Sequence, residues 1–492
     1  MSNLSKKQKA NKRTNKAFEF LTLFSLVFGL MVGSGIYLKN RNTSGGVLGE
    51  AGQNPYLAII MWLVIGLVST LMILVFVEAA SATKVSGHST IQTWGSRFLG
   101  RKVGSFYAIF FIMFYVPVLT GIGALFAVKT VIDAADKLSG PEWLSHEGKL
   151  AIQGTFAILM MVGFMTLNML TTKPGHLIQT IFTFFKFIPL AIVIIGGFVL
   201  NFQGHDNAFD NSSGEWKTEY FFLTLAPILF SFDGFIFAAA LQKDVEHKEV
   251  VAPGLFFGVL GVSLFYVLIS VAIFFGSIDG NVFTLFDNLF ASAPGWAFFF
   301  KTVVACTIMT IVNGYSIVGP KGVQASIDDH LIFSKSGEVI PHKKACIVQG
   351  IISISLVTIL MIFSAVLKNN LIDIIDFTSN TITVMAFTTY LSVLIGVLFN
   401  RKTKKVEVEK VKGVFWYSIL PIVFLTISMS YVYYDLFKKL GSVDTMFDPL
   451  FFIFSLIVMF SLWAINEKML KKYNPVLDKN LETHKKIEKN NI

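Results

Sequence analysis

The sequence predicts an all-α polytopic membrane protein of about twelve transmembrane helices, and three observations carry that prediction. The 492 residues are 54% hydrophobic and only 15% charged, far more apolar than one soluble core requires. The apolar residues gather in runs close to the roughly 20 residues that a spanning helix needs. Lysine and arginine crowd into alternate connecting segments, with roughly 30 of the 41 on one side of the membrane when the chain starts in the cytoplasm.

The runs lie near 18–38, 55–83, 104–132, 150–170, 177–201, 220–241, 252–277, 294–318, 347–366, 379–399, 414–434 and 447–466. Residues 1–17 ahead of them form a basic tail with no small-residue cleavage site, so the first run reads as a retained helix. The basic connections are Lys84 to Lys102, Lys243 with Lys248, Lys321 to Lys344, Arg401 to Lys412 and the tail from Lys468 to Lys489. Asp206, Asp210, Glu215, Asp279 and Asp287 mark the opposite side. Both termini are therefore expected in the cytoplasm, and residues 467–492 are expected to be a solvated tail attracted to lipid. The longest connections, around 84–103 and 319–346, suit short amphipathic helices and leave no soluble domain, which confines function to the membrane.

The formal charge of +10 is explained by this sidedness, without nucleic acid. Cys306 and Cys346 read as packing residues, and the scattered histidines offer no zinc-binding spacing. The glycine-rich segment lies inside a span and follows no strand. No enzyme, cofactor or metal site is expected.

Two spans are interrupted. Phe28-Gly29-Leu30-Met31-Val32-Gly33-Ser34-Gly35-Ile36-Tyr37 puts glycines and a serine in the middle of the first run. Gly29 and Gly33 could form a small-residue packing face, or the segment could break and aim its freed N–H groups at a carboxylate. About 200 residues on, Leu229-Phe230-Ser231-Phe232-Asp233-Gly234-Phe235 interrupts the sixth run. Interruptions at corresponding places in two halves point to a substrate site built from discontinuous helices, opening helices one and six of two inverted five-helix repeats. Asp233 falls roughly 20 Å into its helix, where it could meet a substrate amine, take a proton or cap freed N–H groups. Lys186, in Phe184-Phe185-Lys186-Phe187-Ile188-Pro189, is roughly 15 Å deep and expected to face the bundle. Lys129 and Lys301 lie nearer helix ends and are expected to snorkel to the interface.

These residues resemble the amino acid, polyamine and organocation superfamily of secondary transporters, specifically its bacterial amino-acid permeases and exchangers. The resemblance is carried by Val32 to Tyr37, by Phe230 to Phe235, by the loop Asp244 to Pro253, and by Asn313-Gly314-Tyr315-Ser316-Ile317-Val318-Gly319-Pro320-Lys321 running on to Asp328, Asp329 and Pro341, similar to the end of helix eight and the loop after it. It implies a LeuT-type fold, with one repeat over 18–201, its inverted copy over 202–400 and two further helices over 401–466. It also implies a carboxylate site on the backbone from Val32 through Gly33, Ser34 and Gly35 to Ile36, with the substrate amine at carbonyls in the segment from Phe230 through Ser231, Phe232, Asp233 and Gly234 to Phe235. Phe230 would gate the site, Tyr315 and Tyr115 would line it, and Lys186 would replace a sodium ion and take part in proton coupling. Ile236 stands where many relatives have an acidic residue, and His247, Lys248 and Glu249 replace the usual Asn-Pro and Arg.

The reading that follows is a secondary active amino-acid transporter of the cell membrane, working by alternating access with protons or a counter-substrate. A polyamine or cationic amino-acid exchanger, motivated by Asp233, and a non-transporting amino-acid sensor of the same fold are the alternatives. Neither the amino acid nor the oligomeric state is fixed by these motifs.

Overall fold

A computed structural model describes residues 2–33, 35–83, 88–140, 143–240, 245, 247–335, 340–441 and 446–473. Among these the secondary structure is helical throughout. Eleven segments are long and apolar enough to span a bilayer: α1 (Lys16–Leu38), α2 (Pro55–Ser81), α3 (Arg101–Ser139), α4 (His146–Leu170), α5 (Lys173–Phe202), α7 (Lys248–Gly276), α8 (Pro294–Asp328), α9 (His342–Lys368), α10 (Asp373–Thr403), α11 (Val414–Gly441) and α12 (Phe447–Tyr473). The sixth expected span, α6, is divided into Thr218–Phe232 and Phe235–Ala240, each too short to cross alone. The twelve expected runs and these twelve segments correspond one to one.

Local chemistry sets the ends. Asn54 accepts the N–H groups of Tyr56 and Leu57 with Pro55 at the first helical position, so α2 starts capped. Ser145 does the same for Gly148 at the start of α4. The 84–103 connection contains the expected short helix, Ile91–Leu99, capped by Thr90. One boundary departs from expectation: α8 does not end near 318 but runs through Pro320 to Asp328. A proline there removes only one N–H of the ladder, and the neighbouring helices hold the rest.

Packing divides the bundle into two groups. α1 and α2 each pack on α6 and on α7, whereas α3, α4, α8 and α9 form the second group, with α8 lying along α3. α5 and α10 touch both. One continuous core, including Trp62, Phe76, Tyr115, Phe232, Tyr266 and Tyr390, fills the space between them.

Lys301 corrects an expectation. It does not snorkel: it is 3% exposed, with its ammonium 2.7 Å from both carboxylate oxygens of Asp287, beside the short helix Val282–Leu289. A buried ammonium needs such a partner. Lys129 is half-exposed near the end of α3 and pairs with Asp133 one turn on.

Candidate functional site

α1 stops at Met31 and resumes at Gly35, and the break leaves carbonyls without a following helical N–H. Their partners account for the local geometry. The Phe28 carbonyl still accepts the Val32 N–H at 3.0 Å. The Gly29 carbonyl accepts the Lys186 ammonium at 2.8 Å, and the Met31 carbonyl accepts the Tyr266 hydroxyl at 2.6 Å. Lys186, 5% exposed, thus faces the bundle as expected and caps the first half of α1.

Helix α5 is itself interrupted at Lys186, between Thr172–Phe185 and Phe187–Phe202. Pro189 has no N–H to offer the Phe185 carbonyl, which explains the loosened turn. The buried Lys186 carbonyl accepts the Tyr37 hydroxyl at 2.8 Å, so the two breaks satisfy each other reciprocally.

In α6, the helix from Leu225 to Phe232 ends at Asp233, and Gly234 adopts φ +121°, a conformation that excludes ordinary side chains. Here the Ser231 carbonyl lies 3.0 Å from the same Tyr266 hydroxyl. The two breaks touch: a Cβ on Gly35 would lie 2.6 Å from the Ser231 Cα. At Gly33, by contrast, the nearest atom to a built Cβ is the Met31 carbonyl oxygen at 3.7 Å, so that glycine fronts open space.

The Asp233 carboxylate accepts the Tyr115 hydroxyl at 2.5 Å on one oxygen and the Tyr390 hydroxyl at 3.0 Å on the other. Tyr315 donates to the Tyr115 oxygen at 3.4 Å. Tyr115 ends a π-helical turn, Phe111–Tyr115, set by Pro117, which deprives the Met113 carbonyl of a donor. Among the described residues no lysine or arginine pairs with Asp233.

Over the break lies a cluster that sequence reasoning missed. Lys39, fully buried, places its ammonium 2.6 Å from Asp376, 2.7 Å from the Asn380 side-chain oxygen and 4.5 Å from the centre of the Phe230 ring. Arg41 adds a second ion pair to Asp376 at 2.7 Å. Asp376 sits in the first turn of α10, so α1 and α10 are clamped together above the break. Two cavities, of about 180 and 390 Å³, border the far side of Arg41, and the smaller reaches Tyr37 and Leu38.

Of the expected site residues, Gly33, Gly35, Phe230, Ser231, Asp233, Gly234, Tyr115 and Tyr315 come together. Val32, Ile36, Phe232 and Phe235 turn their side chains into the core and can offer a ligand only backbone. Ser34, and Asp244 and Glu246 of the loop after α6, lie outside the described residues. Tyr266, Tyr390, Lys39 and Asp376 carried no signal of their own, being an ordinary aromatic in each of two spans and charges at two span ends.

The profile of the amino acid permease family matches residues 18–465. The chain belongs to that family. A Mycoplasma pneumoniae protein is 24% identical to this permease over 88% of this chain and 87% of its own. The serine/threonine exchanger SteT of Bacillus subtilis is 26% identical over 58% of this chain and 60% of its own. The rabbit b(0,+)-type amino acid transporter 1 is 24% identical over 51% and 49%. This permease therefore spans about half to three fifths of the length of those two transporters. Among solved structures, MhsT in complex with L-phenylalanine shares the fold with a TM-score of 0.54, at 14% identity, over 84% of this chain and 97% of its own. The LeuT-type fold and the membership of the superfamily expected from the sequence are both borne out.

Proposed function

We propose that this permease is a secondary active transporter of an amino acid in the cytoplasmic membrane, with both termini inside and with coupling to protons or to a counter-substrate. The observation that carries the reading is the meeting of two broken helices, with the start of the resumed α1 packed directly on the last turn of the first half of α6. An amino acid carries one carboxylate and one ammonium on adjacent atoms, and this pair of helix ends offers donors to the first and acceptors to the second. In the state described, Phe230 and the Lys39–Asp376–Arg41 clamp close the face opposite the termini. Separation of α1 from α10 would open it, and the two packing groups supply the parts that move.

The substrate class has a second reading. Asp233 is a carboxylate held by neutral hydroxyls, so a substrate with a cationic side chain would supply its missing counter-charge. Counterflow in proteoliposomes preloaded with single amino acids or polyamines tests both. Counterflow with neutral amino acids supports the first reading, and selective counterflow with lysine, arginine or polyamines supports the second. Binding detected by thermal shift with no counterflow would overturn transport and leave a sensor.

A further inference from the structure

Helix α3 changes step where it passes the site. Phe111–Tyr115 makes one π-helical turn, closed by the Val116 N–H on the Phe111 carbonyl, and Pro117 follows. The Ile112 carbonyl thereby loses both of its helical donors. The Val116 N–H, its α-helical partner, is taken, and residue 117, its partner in a π step, is a proline. A side chain from another helix fills the place: Gln349 of α9, with no exposed surface, donates its amide Nε2 to the Ile112 carbonyl at 3.1 Å and to the Ser353 hydroxyl at 3.2 Å. Gly319 of α8 makes room for it, since a Cβ there would lie 2.9 Å from Val116 Cγ1 and 3.0 Å from Gln349 Cγ. The Gln349 side-chain oxygen has no donor among the described residues, so the burial of this amide is compensated through its nitrogen alone.

One extra residue in a turn rotates the side chains before it relative to those after it by about 100°. That rotation matters at Tyr115, the last residue of the turn, whose hydroxyl lies 2.5 Å from the Asp233 carboxylate and accepts from Tyr315 at 3.4 Å. Were the turn to relax to an α-helical step, the Ile112 carbonyl would recover the Val116 N–H and Tyr115 would be aimed elsewhere. We propose that Gln349 is a positioning residue for substrate binding: by supplying the donor that Ile112 lacks, it holds the π turn of α3 open and keeps Tyr115 on Asp233. The control is exerted across α8, from a helix that carries no break. This inference rests on the reading of the breaks as the substrate site, because Asp233 ends the first half of α6.

The test is Gln349→Met, which keeps the length of the side chain and removes the donor. A fluorotyrosine incorporated at position 115 reports the surroundings of the phenol by fluorine NMR without any ligand. Gln349→Met is expected to shift that resonance, whereas Ser353→Ala, which removes only the second acceptor of the amide, is expected to leave it in place. Affinity is measured with the member of a panel of neutral and cationic L-amino acids that most raises the wild-type melting temperature. Its Kd is expected to rise about tenfold in Gln349→Met, the scale of one lost buried hydrogen bond, and to rise no further when Gln349→Met is added to Tyr115→Phe. In a Pro117→Ala background the chain regains the N–H that Ile112 lacks, so Gln349→Met is expected to add nothing to either readout; this pair also serves where Gln349→Met alone yields too little folded protein. An unmoved resonance in Gln349→Met, or an effect that adds to Tyr115→Phe or persists beside Pro117→Ala, would overturn the proposal. A wild type that binds no amino acid would instead sink the reading of the site, with the resonance still deciding the role of Gln349.

Discussion

At the scale of single residues, Asp233 shows how a carboxylate survives inside the bundle. Two tyrosine hydroxyls, from α3 and α10, each donate to it, and hydrogen bonds to a charged group contribute about 1.5–3 kcal/mol apiece. A cationic substrate would have to displace or join them. Asp233→Asn is expected to abolish counterflow of cationic amino acids while sparing neutral ones if the carboxylate reads the substrate side chain; equal activity toward both classes would confine it to holding Tyr115 and Tyr390. Lys186 poses a different question, since its ammonium caps the Gly29 carbonyl. Lys186→Ala is expected to depress proton-driven uptake at least tenfold more than exchange, because only net uptake requires the charge step. Equal loss in both modes would reduce it to a helix cap.

At the scale of elements, the two breaks were legible because glycine and a polar pair in mid-span have no other physical use than close packing or interruption. The α5 break was half legible: Pro189 stood three residues after the lysine, but a proline alone cannot say whether the ladder bends or opens. The clamp over the site was not legible at all. Lys39 ends one span and Asp376 precedes another 337 residues later, so each looked like an ordinary interfacial charge until the fold joined them. The glycines of α1 separate two roles. Gly35→Leu is expected to lose folding and transport together, since its Cβ would strike the Ser231 backbone, seen as a reduced yield of monodisperse protein in detergent. Gly33→Leu is expected to insert and fold normally yet fail to bind substrate, because its side chain would fill the cleft. A Gly33→Leu protein with normal counterflow would remove that backbone from the site.

At the scale of the whole molecule, charged contacts tie the two faces differently. Toward the termini, Arg101 holds Glu467 at 2.9 and 2.5 Å, Arg401 holds the fully buried Glu78, and His247 holds Glu19, which joins α1 to the loop after α6. On the opposite face, among the described residues, the ion pairs placed over the breaks are those of Lys39 and Arg41 with Asp376. Removing one partner of a buried ion pair costs about 3–5 kcal/mol, comparable to the gap that separates two conformations of a transporter. Asp376→Asn is therefore expected to favour the form open on that face. A cysteine placed at Phe126, beside Arg41, should then react faster with a membrane-impermeant maleimide. An unchanged labelling rate would show that the clamp is not what keeps this face shut.

The partners of Asp233 also bear on how the chain is built at the ribosome. Tyr115 is synthesised 118 residues earlier, but Tyr390 comes 157 residues later, by which time α7, α8 and α9 have been synthesised. During that interval the divided α6 must sit in the translocon or lipid with its carboxylate satisfied on one oxygen alone, carrying an insertion penalty of about 2.5–3.5 kcal/mol that its final neighbours have not yet relieved. The segment at the centre of the site thus becomes stable only once α10 joins it, and chains ending before α10 are expected to retain α6 poorly in the membrane.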